Sequence, residues 1–233
     1  MVEEYKRMAA WAAVEQVRDG MTIGLGGGST AALALERLGT LLRQGQLRRV
    51  VGVPCSQAVA RRAAALGMPL VGENEVRPVD VTIDGADEVD PQLNLIKGGG
   101  GALLREKIVA QASDRLVIVV DYTKLSPALG TKRSLPVDVV PFGWAIQRAY
   151  IRSLGGEATL RTVPEGQPFV TDDGHYVLDC RFGPIVDPEE LAGLLAARAG
   201  IVEHGLFVGL ADEVISAGPD GLRRLSRPGG LGS

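Results

Sequence analysis

An α/β fold on a mainly parallel sheet is what this chain predicts, and three observations carry the expectation. Short apolar runs alternate with amphipathic stretches over residues 5–120, the pattern of strands joined by helical crossovers. Glycine-rich segments follow two of those runs directly, as loops at the carboxyl ends of parallel strands do. After Leu135 the pattern changes to that of a smaller α+β unit.

Taken in order, Tyr5, Met8, Ala9, Ala12 and Ala13 recur at helical spacing, and Asp19-Gly20 stops that helix before an apolar strand over 22–25. After Gly26, Gly27 and Gly28, either Ser29 or Thr30 caps a helix that runs to Leu42. A strand over 50–53, a helix capped by Ser56 and ending at Leu66, a strand over 79–83, a helix over 102–112 and a strand over 116–120 continue the alternation. The expected result is a Rossmann-like sheet with helices on both faces. Beyond it come strand material at 137–140, a helix over 144–154, strands near 157–163 and 176–182, and a helix over 188–199. Runs at 206–210 and 214–216 read as strands that return to the first domain, and 227–233 as a frayed tail. The expected domains are therefore 1–134 with 206–233, and 135–205.

Composition narrows the function classes. With 233 residues and 45% hydrophobic content the chain can bury a substantial core. A formal charge of -3, with four Phe, four Tyr and two Trp, argues against a generic nucleic-acid surface and offers few stacking platforms. No apolar run reaches the roughly 18 residues of a membrane span, and the first residues lack a signal-peptide profile, so a soluble cytoplasmic protein is the default expectation. Cys55 and Cys180 have no C-x-x-C spacing and read as buried thiols, and His175 and His204, beside turn residues, as surface histidines.

Three segments can carry chemistry. Gly24-Leu-Gly-Gly-Gly-Ser-Thr30 links a strand to a helix, the context in which backbone N–H groups and hydroxyls hold phosphate; a tight turn with an ordinary cap is the alternative. It lacks the Lys of a P-loop, and Ser29 occupies the third glycine of a dinucleotide fingerprint. Asp84-Gly-Ala-Asp-Glu88 sets two carboxylates three apart after a strand, suited to gripping sugar hydroxyls and equally compatible with a helix cap or a Mg²⁺ site. Lys97-Gly-Gly-Gly-Gly-Ala-Leu-Leu-Arg-Glu-Lys107 brackets a glycine loop with a cation and a carboxylate. Its glycines let a ligand approach the main chain, and Lys97 is placed to steady an oxyanion. On a helical wheel Glu106 falls among Leu103, Val109 and Ala110, with Lys107 and Gln111 on another side. Desolvation there raises a carboxyl pKa toward the range of a general acid/base, whereas pairing with Arg105, Lys107 or a distant cation would make Glu106 structural. Lys124 and Lys132 each follow a strand end, where either can neutralise a phosphate. No cluster of His, Asp and Glu shows metal-ligand spacing.

Together, and in this order, the three segments resemble the A-type ribose-5-phosphate isomerases. The resemblance extends through Leu129-Gly-Thr-Lys132, Leu135-Pro-Val-Asp-Val-Val-Pro141 and Gly205-Leu-Phe-Val208. It implies interconversion of ribose 5-phosphate and ribulose 5-phosphate in the pentose phosphate pathway, with no cofactor or metal, in a homodimer or larger oligomer. Glu106 then corresponds to the proton-transferring base, and Asp84, Asp87 and Lys97 to residues that open the ring, orient hydroxyls and stabilise the oxyanion. Ser29, Thr30, Lys132 and, more weakly, Lys6 correspond to phosphate or substrate contacts. The implied binding set is completed by Gly27, Gly28, Gly85, Ala86, Gly98, Gly99 and Gly100. Gly27 departs from the family pattern, which has Thr there; a lost hydroxyl contact costs about 0.5 to 1.5 kcal/mol, a several-fold weaker KM. The rival functions are a sugar-phosphate sensor and a CoA transferase of similar fold. The chain leaves no room for a DNA-reading segment before the first glycine loop, and a sensor would leave Glu106 without a task.

Overall fold

A computed structural model describes residues 1–72, 75 and 77–227. In chain order its elements are α1 (Val2–Val14), β1 (Thr22–Leu25), α2 (Gly28–Arg43), β2 (Val51–Pro54), α3 (Gln57–Ala65), β3 (Val81–Asp84), β4 (Glu88–Val89), β5 (Leu95–Ile96), α4 (Leu103–Gln111) and β6 (Leu116–Asp121). A 3-10 turn at Tyr122–Lys124 follows, then β7 (Leu135–Val139), α5 (Trp144–Ser153), β8 (Glu157–Leu160), β9 (Tyr176–Arg181), α6 (Pro188–Ala196), β10 (Ile201–His204), β11 (Leu206–Phe207), β12 (Glu213–Gly218) and β13 (Gly221–Ser226). No helix among the described residues is long and apolar enough to cross a membrane.

The chain forms two compact units, one of Met1–Ala86, Arg105–Lys124 and Leu210–Ser233, the other of Asp87–Leu104 and Leu125–Gly209. The first holds a six-stranded sheet in the order β13-β12-β6-β3-β1-β2, parallel except for the β12–β13 hairpin. β6 is buried along its whole length, as an inner strand covered on both faces must be. Ile23 joins the core made with the alanine face of α1 and the leucines of α2. The next residue, Gly24, points the other way, and a Cβ on it would collide with Thr82 and with Val109 of α4. Alternation along β1 therefore puts α4 on the face opposite α1 and α2, with glycine required where it comes close. β1 has β2 on one side and β3 on the other, so the strand order reverses at the carboxyl ends of β1 and β3, the usual place for a ligand in such sheets.

The second unit contains an antiparallel sheet, β10-β7-β9-β8, and a three-stranded one, β11-β5-β4. Leu135, Val137 and Val139 of β7 meet Ile151 of α5 and Leu195 of α6 in its core.

Several expectations change. Ser29 and Thr30 do not cap α2: the N-cap is Gly27, with no side-chain hydrogen bond, because the helix already begins at Gly28 and takes both residues into its first turn. Ser56 does cap α3, accepting from Val59 N–H at 3.1 Å. The run 206–210 does not return to the main sheet; Leu206 and Phe207 pair with Ile96 and Leu95. The expected boundary at 134/135 differs from the compact units, which group 87–104 and 125–134 with the smaller unit. His204 is buried at the carboxyl end of β10 rather than on the surface. Residues 228–233 of the expected tail lie outside the described residues.

Candidate active site

In the first unit the loop after β1 is tied to the end of β3. Gly26 N–H donates to the Ile83 carbonyl at 3.0 Å, and Asp84 Oδ1 accepts from Gly27 N–H at 3.0 Å and Gly85 N–H at 2.7 Å. Asp84 is 1% exposed, and a Cβ on Gly26 would overlap its carboxylate, so glycine at 26 is what admits the carboxylate. A buried carboxylate that accepts two amides is held in one orientation. Gly28 has φ +80°, the left-handed region that favours glycine. With no side chain capping α2, its first N–H groups stay open to an anion. Gly26, Gly27, Gly28 and Ser29 line a hollow of 310 Å³ with Ala32, Ala58, Val59 and Arg62. Ser29 is exposed and Thr30 buried. Ala86 is half-buried, and Lys6, on α1, faces Glu3 at 3.3 Å.

Glu106 comes to this loop from α4 and is 7% exposed. A Cβ on Gly27 would stand 3.1 Å from its Oε1 and 3.7 Å from Cys55 Sγ. Leu103, Val109 and Ala110 are buried with it, as the wheel predicts. Lys107 is buried as well, while Ile108 is 57% exposed. The buried arc of α4 is thus wider than its apolar arc, because the helix is covered on a polar side that hydropathy assigns to solvent.

In the second unit Asp87 N–H donates to the Ile96 carbonyl at 2.8 Å, and Asp87 Oδ2 accepts from Gly99 N–H at 2.8 Å. Lys97 is buried; its N–H donates to the Gly205 carbonyl at 2.9 Å, and its ammonium stands 5.4 Å from the Phe207 ring centre. Gly98 has φ +98° against Leu103, while Gly99 and Gly100 are exposed. The structure therefore joins Gly27, Asp84, Gly85 and Glu106 in one unit, and Asp87 with Gly99 in the other. Lys132 is exposed, its ammonium donating to the Leu125 carbonyl at 2.5 Å.

Two residues not singled out from the sequence organise these loops. Glu88 is 0% exposed and accepts three amides, Lys132 N–H at 3.0 Å on Oε1, and Gly130 N–H at 3.0 Å and Arg133 N–H at 3.2 Å on Oε2. Its place in Asp84-Gly-Ala-Asp-Glu88 was an available signal. Arg161 reaches the glycine run from beyond β8, donating to the carbonyls of Gly98 and Gly99. No local motif marks it.

Against known proteins, the family described as ribose 5-phosphate isomerase A (phosphoriboisomerase A) matches residues 51–221. Ribose-5-phosphate isomerase A of Chloroflexus aurantiacus is 58% identical over 224 residues, 96% of this chain and 94% of that protein. A solved D-ribose-5-phosphate isomerase in complex with phospho-erythronic acid is 38% identical with a TM-score of 0.95, covering 97% of this chain and 100% of that one. Ribose 5-phosphate isomerase A of Methanocaldococcus jannaschii is 38% identical with a TM-score of 0.92 over the same shares. The glycine loop at the sheet's switch point, the buried glutamate beside it and this full-length likeness agree, and the chain belongs to the ribose 5-phosphate isomerase A family.

Proposed function

We propose that the chain isomerises ribose 5-phosphate and ribulose 5-phosphate by proton transfer through an enediolate, with Glu106 as the acid/base. One observation carries the assignment of that residue: a carboxylate 7% exposed, with Oε1 3.1 Å from the Cβ position of Gly27 in the anion-binding loop. The ionised carboxylate takes the C2 proton of the open-chain aldose, and the electron pair moves to the C1 oxygen. Lys97 stabilises the resulting negative oxygen. A proton then passes from the C2 hydroxyl to the C1 oxygen, with Asp84 and Asp87 orienting the hydroxyls, and Glu106 returns its proton to C1. Gly27, Gly28, Ser29 and Thr30 hold the phosphate with Lys132 and Lys6, while the backbone at Gly85, Ala86, Gly98, Gly99 and Gly100 faces the sugar.

Membership of this family makes the chain an isomerase acting on a small molecule, and favours neither a CoA transferase nor a non-catalytic sensor. We place it in the cytoplasm, in keeping with Cys55 and Cys180 both being buried thiols outside any disulfide. It works there as a homodimer or tetramer, and the exposed Phe142, Ile146 and Val186 supply apolar surface for such contacts.

Purified protein assayed in EDTA should turn over ribose 5-phosphate and, in D₂O, carry solvent deuterium into the sugar, since an enediolate exchanges its proton and a hydride shift does not. Glu106→Gln should lower kcat by about 10³-fold or more and largely preserve binding of phospho-erythronic acid. Loss of activity in EDTA that added metal restores, or normal kcat in the variant, would falsify the mechanism.

A further inference from the structure

The glycine run closes a turn whose central peptide has little preference of its own, and a side chain outside the run decides it. Gly101 N–H donates to the Gly98 carbonyl at 2.9 Å, placing Gly99 and Gly100 at the centre of a four-residue turn. The central peptide, Gly99 C=O with Gly100 N–H, takes opposed orientations in type I and type II turns, and glycine tolerates both. Type II needs a positive φ at the third residue, and Gly100 has none.

Arg161 makes the choice. Its Nη1 donates to the Gly98 carbonyl at 3.0 Å and the Gly99 carbonyl at 3.1 Å. The guanidinium is itself fixed, Nε donating to Asp179 Oδ2 at 3.0 Å and Nη2 to Asp179 Oδ1 at 2.5 Å, with Phe169 5.7 Å from its carbon. The described peptides are planar and trans, so a carbonyl aimed at Arg161 sends the following N–H the opposite way. For Gly99 that N–H meets Asp87 Oδ2. For Gly100 the same geometry turns the N–H away from Arg161, at an exposed residue where a Cβ would meet nothing within 4 Å.

From this geometry we propose that Arg161, held by Asp179, is a positioning residue of the isomerase reaction: it locks the turn so that the Gly100 amide, next to Asp87's partner Gly99, donates to a sugar oxygen. The inference rests on the isomerase reading and adds one backbone donor and the side chain that aims it. Without the guanidinium the central peptide flips between both orientations, and the amide is presented for only part of the time.

The test measures ribose 5-phosphate turnover by wild type, Arg161→Ala, Arg161→Lys and Asp179→Asn. Arg161→Ala should lose about tenfold in kcat/KM, the worth of one neutral donor, and millimolar methylguanidinium should restore most of it. Lysine cannot hold Asp179 and both carbonyls at once, so Arg161→Lys should recover little. Asp179→Asn should fall between wild type and Arg161→Ala. A folded Arg161→Ala protein with wild-type kcat/KM overturns the inference and leaves the isomerase reading standing. So does a loss of activity that follows the drop in Tm and ignores methylguanidinium. A wild type inactive on ribose 5-phosphate overturns both. Should Arg161→Ala fail to fold, glycine-selective ¹⁵N labelling of the wild type decides: the Gly100 amide resonance must move when phospho-erythronic acid binds, and an unmoved resonance rejects the proposal.

Discussion

Gly27 sits where a side chain would touch both the loop's ligand space and the proposed base. Its φ of -103° suits any residue, so backbone strain does not explain the glycine. What limits the position is the carboxylate beyond it: a contact at 3.1 Å is tighter than a methyl group and an oxygen normally accept, so Glu106 must give way by a few tenths of an ångström. Proton transfer depends on such displacements. Gly27→Ala adds the pressure alone, whereas Gly27→Thr adds the pressure and a hydroxyl. Both should lower kcat several-fold. The hydroxyl, worth about 0.5 to 1.5 kcal/mol, should bring the KM of the Thr variant roughly two- to tenfold below that of the Ala variant. Equal KM values would show that position 27 contributes no polar contact to substrate. At this scale the surroundings of the proposed base were legible. The wheel places Glu106 among Leu103, Val109 and Ala110 from spacing alone, and all three are buried with it. Lys107 was not legible, because its burial depends on what covers α4 and not on the residue's polarity.

Among the elements, the long strands and helices of the parallel sheet announce themselves, while β4, β5 and β11 do not. Each is two residues long, too short for an alternation to register, and β11 pairs with β5 across a separation of more than one hundred residues. The β12–β13 hairpin does carry a signal in the sequence: Pro219-Asp220-Gly221 is a turn signature between two extended runs, and Gly218 pairs with Gly221 around it. β4 shows what a short strand can do, since it fixes Glu88 against the amides of Gly130, Lys132 and Arg133. Glu88→Gln keeps one acceptor oxygen and turns an NH₂ group toward at least one of the three N–H groups that the carboxylate accepts from. Losing a charge-assisted bond and leaving a donor unmet costs about 1.5 to 3 kcal/mol, or roughly 3–12 °C in Tm for a chain of this size. Calorimetry reads the first effect directly. If Lys132 contacts phosphate, KM for ribose 5-phosphate should rise as well, whereas an unchanged Tm would mean that the three amides find other partners.

For the whole molecule, the chain leaves its first unit after Ala86, returns at Arg105, leaves again after Lys124 and returns at Leu210. A reading by local pattern follows the first departure poorly, because residues 87–104 continue a strand-then-helix rhythm and reveal their partners only through Leu206 and Phe207. Global stability carries a further signature that no motif announces. Asp138 lies on β7, 1% exposed, with Glu203 of β10 and Val177 of β9 as its strand partners. Burial pushes its carboxyl from 3.8 up to about 7; the charges of Asp173 and Glu203 add to the rise and Arg161 opposes it. His175 Nδ1 is 3.8 Å from Asp138 Oδ2. Between these two pH values the folded chain keeps a proton that the unfolded chain has released, so the folded state binds more protons and stability falls as pH rises through the window. The contribution is fully present below about pH 4 and gone above about pH 7. A tenfold change in proton affinity is worth about 1.4 kcal/mol, which sets a ceiling of about 4 kcal/mol on the effect. Asp138→Asn removes the titration and should therefore raise Tm at pH 8 while changing it little at pH 4. Thermal unfolding of both proteins across pH 4–8 checks this, and parallel curves would show that the carboxyl is already ionised in the folded chain at acidic pH.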